Sequence, residues 1–133
     1  MADVALRGRE LSPTGEEYAK VDEAHRYVSR LLEERRVVYG ITTGFGPLAD
    51  TYVDPGAAEE LQRHLLSHLR AGVGSPLRPE HVRAMMAGRV LSLMRGRSGV
   101  RREVVDLLIN MLRKNVVPVV PSMGTVGASG DLT

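Results

Sequence analysis

The stretch from Pro79 to Asn115 reads PEHVRAMMAGRVLSLMRGRSGVRREVVDLLINMLRKN. Val82, Met85, Met86, Val90, Leu93 and Met94 recur at three- and four-residue intervals, the period of one helix face. Pro79 suits a first helical position, where its missing N–H would have no partner anyway, and Gly96 ends the run. Beyond Gly96, Val104, Val105, Leu108, Ile109 and Leu112 repeat the period, so a second helix is expected from about Arg101 to Asn115. Two consecutive apolar stripes of this kind put the chain in the mainly α class. The methionines 85, 86 and 94 read as core material rather than as chemistry.

Working outward, Thr14-Gly15-Glu16-Glu17 offers a capping box, with Thr14 as the cap and Glu17 reaching back. Tyr18, Val21, Val28, Leu31 and Leu32 follow at helical spacing, and the helix should fade near Arg35-Arg36. Residues 1–13 read as an extended lead-in ending at Pro13, and Val37-Val38-Tyr39-Gly40 as a short extended piece. Asp54-Pro55 marks another helix start, expected to run to about Ala71 and to stop at Gly72 and Gly74. Two loops rich in glycine remain, over 39–47 and 121–131. No internal repeat or low-complexity tract interrupts the 1–133 span.

The 133 residues amount to one modest domain, 43% apolar and 26% charged. Eighteen basic and sixteen acidic residues leave a net charge of +2. Only five aromatic residues accompany them, too few stacking partners for a nucleic-acid surface. The absence of Cys excludes disulfides and thiolate metal sites. The start, Met1-Ala2-Asp3-Val4, lacks a signal-peptide layout, and the apolar run Val116 to Val120 is too short to span a bilayer. A cytoplasmic protein with no membrane partner is expected.

Three segments bear on chemistry. The loop Met123-Gly124-Thr125-Val126-Gly127-Ala128-Ser129-Gly130-Asp131 lacks the Lys of a phosphate-binding P-loop, and its Ser is one position out of register for a nucleophile elbow. By residue type alone it is a turn, an anion-cradling loop or a catalytic element. Tyr39 can be a half-buried aromatic at the start of its loop, or a proton acceptor. A free phenol titrates near 10, so base duty needs nearby positive charge or dipoles. His64 and His68 share a helix face and suit solvated residues; a metal site would need a third ligand that the spacing does not offer. No metal is expected.

Read together, these segments resemble the aromatic amino acid ammonia-lyase family, which comprises histidine, phenylalanine and tyrosine ammonia-lyases and related aminomutases. The resemblance rests on Gly127-Ala128-Ser129-Gly130-Asp131-Leu132, on Tyr39-Gly40-Ile41-Thr42-Thr43-Gly44-Phe45-Gly46, and on the helix that begins Leu61-Gln62 and ends Gly72-Val73-Gly74. It covers about residues 37 to 133. Gly96-Arg97-Ser98-Gly99-Val100-Arg101 also resembles a family loop, taken as structural.

The resemblance implies a helical N-terminal portion of a lyase carrying methylidene-imidazolone (MIO), with residues 1–133 ending just after the Ala-Ser-Gly motif. It implies that Ala128, Ser129 and Gly130 form the MIO in the complete enzyme, so no external cofactor is needed. Gly is suited to that cyclisation because it has no Cβ to obstruct a compressed loop. It implies Tyr39 as the catalytic base, and His68, Leu69 and Gly46 as substrate-binding residues.

The pair His68-Leu69 resembles the tyrosine-type members, because an imidazole can hydrogen-bond a phenol hydroxyl. His64 stands where the family usually has Asn. The implied reaction is non-oxidative ammonia elimination from an aromatic L-amino acid, tyrosine first, then histidine or phenylalanine, within a homotetramer. A 2,3-aminomutase or a non-catalytic helical assembly domain are the alternatives. Because a loop must be held under compression to cyclise, an isolated 133-residue chain is expected to be inactive and unreacted at 128–130; an intact mass lower by two waters would contradict this.

Overall fold

The computed structural model describes residues 2–69 and 72–125, without the side chains at 55, 58, 59 and 68. It is mainly α. Helices α1 (Ala2–Arg7), α2 (Gly15–Glu33), α3 (Pro55–His68), α4 (Pro79–Leu93) and α5 (Arg102–Arg113) are joined by two short strands, β1 (Val73–Pro76) and β2 (Pro121–Met123). The chain divides into two compact units, one of residues 1–26 with 73–123, the other of 27–72 with 124–133.

In the first unit, α4 packs against both α1 and α5. Its buried face is Val82, Met86, Ala87, Val90 and Leu93, met by Val105, Ile109 and Leu112 of α5 and Val4 of α1. Two members of the expected stripes lie outside this core. Met85 is 54% exposed and Val104 36%. Each sits one residue from a buried neighbour, Met86 and Val105, and one step on a helix turns the side chain by about 100°. Residues 2–7 are helical rather than extended. Val4 is buried, Asp3 pairs with Arg7 at 3.1 Å, and Gly8 at φ +66° ends the helix.

A buried arginine ties the unit together. Arg83 on α4 is 9% exposed. It donates to the carbonyls of Val4 at 3.0 Å and Ala5 at 3.3 Å, to the Leu112 carbonyl at 3.1 Å and to Asn115 Oδ1 at 2.9 Å. These carbonyls belong to the last turns of α1 and α5, which lack intrahelical partners. Asn115, at φ +53°, closes α5: Val116 N–H reaches the Met111 carbonyl and Asn115 N–H the Leu112 carbonyl, the paired bonds of a Schellman ending.

The two strands were not expected. β1 and β2 pair antiparallel, with Val73 opposite Met123 and Pro76 opposite Pro121. Gly74 reads as a stop and 121–131 as a loop; the pairing joins segments nearly fifty residues apart, which local periodicity cannot reveal. Gly74, at φ +89°, lets β2 approach: a Cβ there would lie 2.7 Å from Met123 Cε.

Helix starts follow the sequence closely. Thr14 N–H donates to Glu17 Oε2 at 2.8 Å, and Glu17 N–H to Thr14 Oγ1 at 3.3 Å, so the capping box is closed. The Thr14 N–H holds the Glu17 carboxyl below its ordinary pKa. Asp54 caps α3 by accepting from Gly56 N–H at 2.9 Å. α2 ends at Glu33 with Arg35 at φ +50°, in a second Schellman ending: Arg36 N–H bonds the Leu31 carbonyl and Arg35 N–H the Leu32 carbonyl. α3 ends at His68, three residues short of Ala71, and its closing bond is Leu69 N–H to the Leu65 carbonyl at 3.0 Å.

Candidate active site

Tyr39 opens a loop in the second unit whose shape is set by two buried threonines. Thr42 and Thr43 are 1% and 0% exposed. Thr42 Oγ1 accepts from Val38 N–H at 2.8 Å and donates to the Arg36 carbonyl. Thr43 Oγ1 accepts from Gly40 N–H at 3.2 Å and donates to the Gly44 carbonyl at 3.0 Å. Each hydroxyl pairs backbone groups that a tight loop would otherwise leave without partners. The loop is then pinned from outside: Val53 N–H donates to the Thr42 carbonyl at 2.8 Å and Gly44 N–H to the Thr51 carbonyl at 3.2 Å. Val37 and Val38 form no strand; the Val38 carbonyl instead accepts from the N–H groups of Ile41 and Thr42.

Two glycines permit the turn. Gly40 adopts φ +70°, and a Cβ there would sit 3.0 Å from the Phe45 ring. At Gly44 a Cβ would come within 2.5 Å of Leu48 Cβ, so the one-turn 3₁₀ segment Gly46–Leu48 can fold back only over a glycine.

The result is a presented phenol. The Tyr39 residue is 62% exposed, not the half-buried aromatic that composition allows. Its ring meets the Phe45 ring edge-on, centroids 6.0 Å apart and planes at 84°. Its oxygen accepts from Gly46 N–H at 3.3 Å. The Gly46 N–H thus occupies one acceptor site of the phenol oxygen, and the remaining lone pair can take part in proton transfer. Gly46, expected to bind substrate, spends its N–H on Tyr39.

The other expected residues are placed less closely. Leu69 is half-buried at the C-terminal end of α3. The side chain of His68, and Ala128, Ser129 and Gly130, lie outside the described residues. His64 is exposed, 3.8 Å from Glu60, and lines a shallow cleft with Arg63 and Ser67. Among the described residues no three metal-ligating side chains gather, and no helix is long and apolar enough to cross a membrane. Thr42, Thr43 and Phe45 were not singled out by residue type. Their signal was the hydroxyl pair inside a glycine-rich loop, which supplies the side-chain bonds that such loops need.

A mainly helical chain with an exposed tyrosine held on a glycine-rich turn, and with Ala-Ser-Gly later in the sequence, belongs to the aromatic amino acid lyase family, whose profile matches residues 1–133. Among its relatives is the histidine ammonia-lyase of Symbiobacterium thermophilum, 46% identical over 129 residues, covering 97% of this chain and 25% of that protein. Among solved structures it resembles histidine ammonia-lyase from Trypanosoma cruzi (36% identity, TM-score 0.82, 95% of this chain, 24% of that one). It also resembles tyrosine aminomutase from Streptomyces globisporus (29% identity, TM-score 0.89, 95% of this chain, 24% of that one). The chain therefore spans about a quarter of the length of the relatives it matches. Two of these three relatives are named histidine ammonia-lyases and the third a tyrosine aminomutase.

Proposed function

We propose that the complete protein eliminates ammonia from L-histidine to give urocanate, without oxidation. The observation that carries the reading is Tyr39: an exposed phenol, fixed on a turn, with the Gly46 N–H at its oxygen. The histidine ammonia-lyases at 46–47% identity support histidine as the substrate. In this mechanism Tyr39 Oη acts as a phenolate and takes the β-proton, and the Gly46 N–H stabilises the negative charge that the oxygen carries until the proton arrives. Thr42 and Thr43 hold the turn so that neither group must be reorganised during the reaction.

Ala128-Ser129-Gly130 has the composition for an MIO: glycine amide nitrogen as internal nucleophile, serine hydroxyl to leave as water. When formed, that group supplies an electrophile that makes the substrate amine a leaving group, replacing an external cofactor. His68 and Leu69 are proposed to contact the substrate ring, and the enzyme to act as a cytoplasmic homotetramer.

The second reading keeps the chemistry and changes the substrate to L-tyrosine. It rests on His68-Leu69, whose imidazole suits a phenol hydroxyl, and the tyrosine aminomutase among the structural relatives suits it. The test is an assay of the full-length protein with L-histidine, L-tyrosine and L-phenylalanine, following the unsaturated acid by absorbance and the β-amino acid by chromatography. Urocanate as the fastest product supports the proposal. Faster coumarate supports the second reading, a β-amino acid product makes the protein an aminomutase, and no turnover of any of the three overturns the lyase assignment.

A further inference from the structure

An exposed tyrosine has rotamer freedom that a base cannot keep, because proton transfer demands a fixed oxygen. On this chain the contacts described for the Tyr39 ring and oxygen come from two consecutive residues: the Phe45 ring edge at a centroid distance of 6.0 Å and the Gly46 N–H at 3.3 Å. We propose that Phe45 is a positioning residue for Tyr39. The inference rests on the base role proposed above for Tyr39.

The geometry makes Phe45 more than a filler. Its ring lies over Gly40, close enough that a Cβ there would be 3.0 Å from Cε1, so the residue that follows the base is a glycine that leaves room for the ring. The same backbone is also held by Thr43, whose hydroxyl accepts from Gly40 N–H. Phe45 also caps the 3₁₀ segment that starts at Gly46, in extended backbone at φ −115° and ψ 154°. One residue thereby sets two things: the plane of the Tyr39 ring, through an edge-to-face contact whose quadrupole prefers this near-perpendicular arrangement, and the direction of the Gly46 N–H. Fixing ring and oxygen from one turn means that loss of the Phe45 ring should misplace the oxygen.

The experiment compares the full-length enzyme with its Phe45→Leu, Phe45→Tyr and Tyr39→Phe variants, each checked for retained secondary structure and for the loss of two waters in its intact mass. Phe45→Leu is expected to lower kcat by about 10- to 100-fold with KM changed less than about threefold. Phe45→Tyr, which keeps the ring edge, is expected to restore most of that loss. Tyr39→Phe separates the two claims. If it is inactive while Phe45→Leu turns over like the parent, the positioning role is overturned and the base assignment stands. If Tyr39→Phe stays active, both fall. A Phe45→Leu defect that appears in KM instead of kcat, or that Phe45→Tyr does not relieve, also overturns the positioning role.

Discussion

At the scale of single residues, His68 separates the two substrate readings. It is the last residue of α3, which carries Leu61 and Leu65 half-buried, with Leu69 half-buried just past its end. Replacing His68 with Phe in the full-length enzyme should shift the ratio of kcat/KM toward L-phenylalanine by about tenfold or more, since an unpaired polar partner is rejected more strongly than a missing methylene. An unchanged ratio across the three amino acids would remove His68 from the pocket. Tyr39 was visible in the sequence as a tyrosine before a glycine-rich loop, but its exposure and its donor were not. The donor is the backbone of Gly46, which no side-chain pattern announces. The threonines were hidden for a similar reason: Thr42 and Thr43 look polar and solvated, yet they are buried because the loop backbone supplies their partners.

At the scale of elements, helix starts were legible and short pairings were not. Thr14–Glu17 and Asp54–Pro55 carry their own capping chemistry, so their positions follow from four or five residues. β1 and β2, the helical turn of α1 and the left-handed ends at Arg35 and Asn115 depend on partners far away in sequence or on non-glycine residues at positive φ. One element contact has a pH signature. Tyr18 on α2 donates to Asp106 Oδ1 on α5 at 2.6 Å, with the Arg102 guanidinium 3.9 Å over its ring. Burial, then the bond to Asp106, raise the Tyr18 pKa above its ordinary value of 10.0. The folded state thus holds this proton more tightly than the unfolded chain. The stability it contributes is complete below the unfolded value and is lost as pH rises through the folded one. Thermal unfolding midpoints should therefore fall on the alkaline side of about pH 10, and Tyr18→Phe should flatten that decline. Equal slopes for the two proteins would rule the contact out as its source.

At the scale of the whole molecule, the mainly α class was legible because the α4 and α5 stripes do bury, Met85 and Val104 excepted. What joins α4 to α1 and α5 was not, since a charged residue is an improbable core member by composition. Arg83 is in that core because its guanidinium donates to four acceptors at two helix ends. Arg83→Met should lower unfolding stability by about 3 kcal/mol, as carbonyls and Asn115 Oδ1 lose their partner, measured by urea denaturation; a change below about 0.5 kcal/mol, the range of ordinary surface substitutions, would show that the clamp is idle.

The claim on which the rest depends is that Tyr39 supplies the base of an ammonia-lyase. Its most direct measurement is the rate of urocanate formation from L-histidine by the full-length enzyme and by Tyr39→Phe, with both intact masses lower by two waters so that cyclisation at 128–130 is matched. The parent should turn over and the variant should be slower in kcat by about 100- to 10,000-fold. A Tyr39→Phe enzyme within about threefold of the parent would contradict the account.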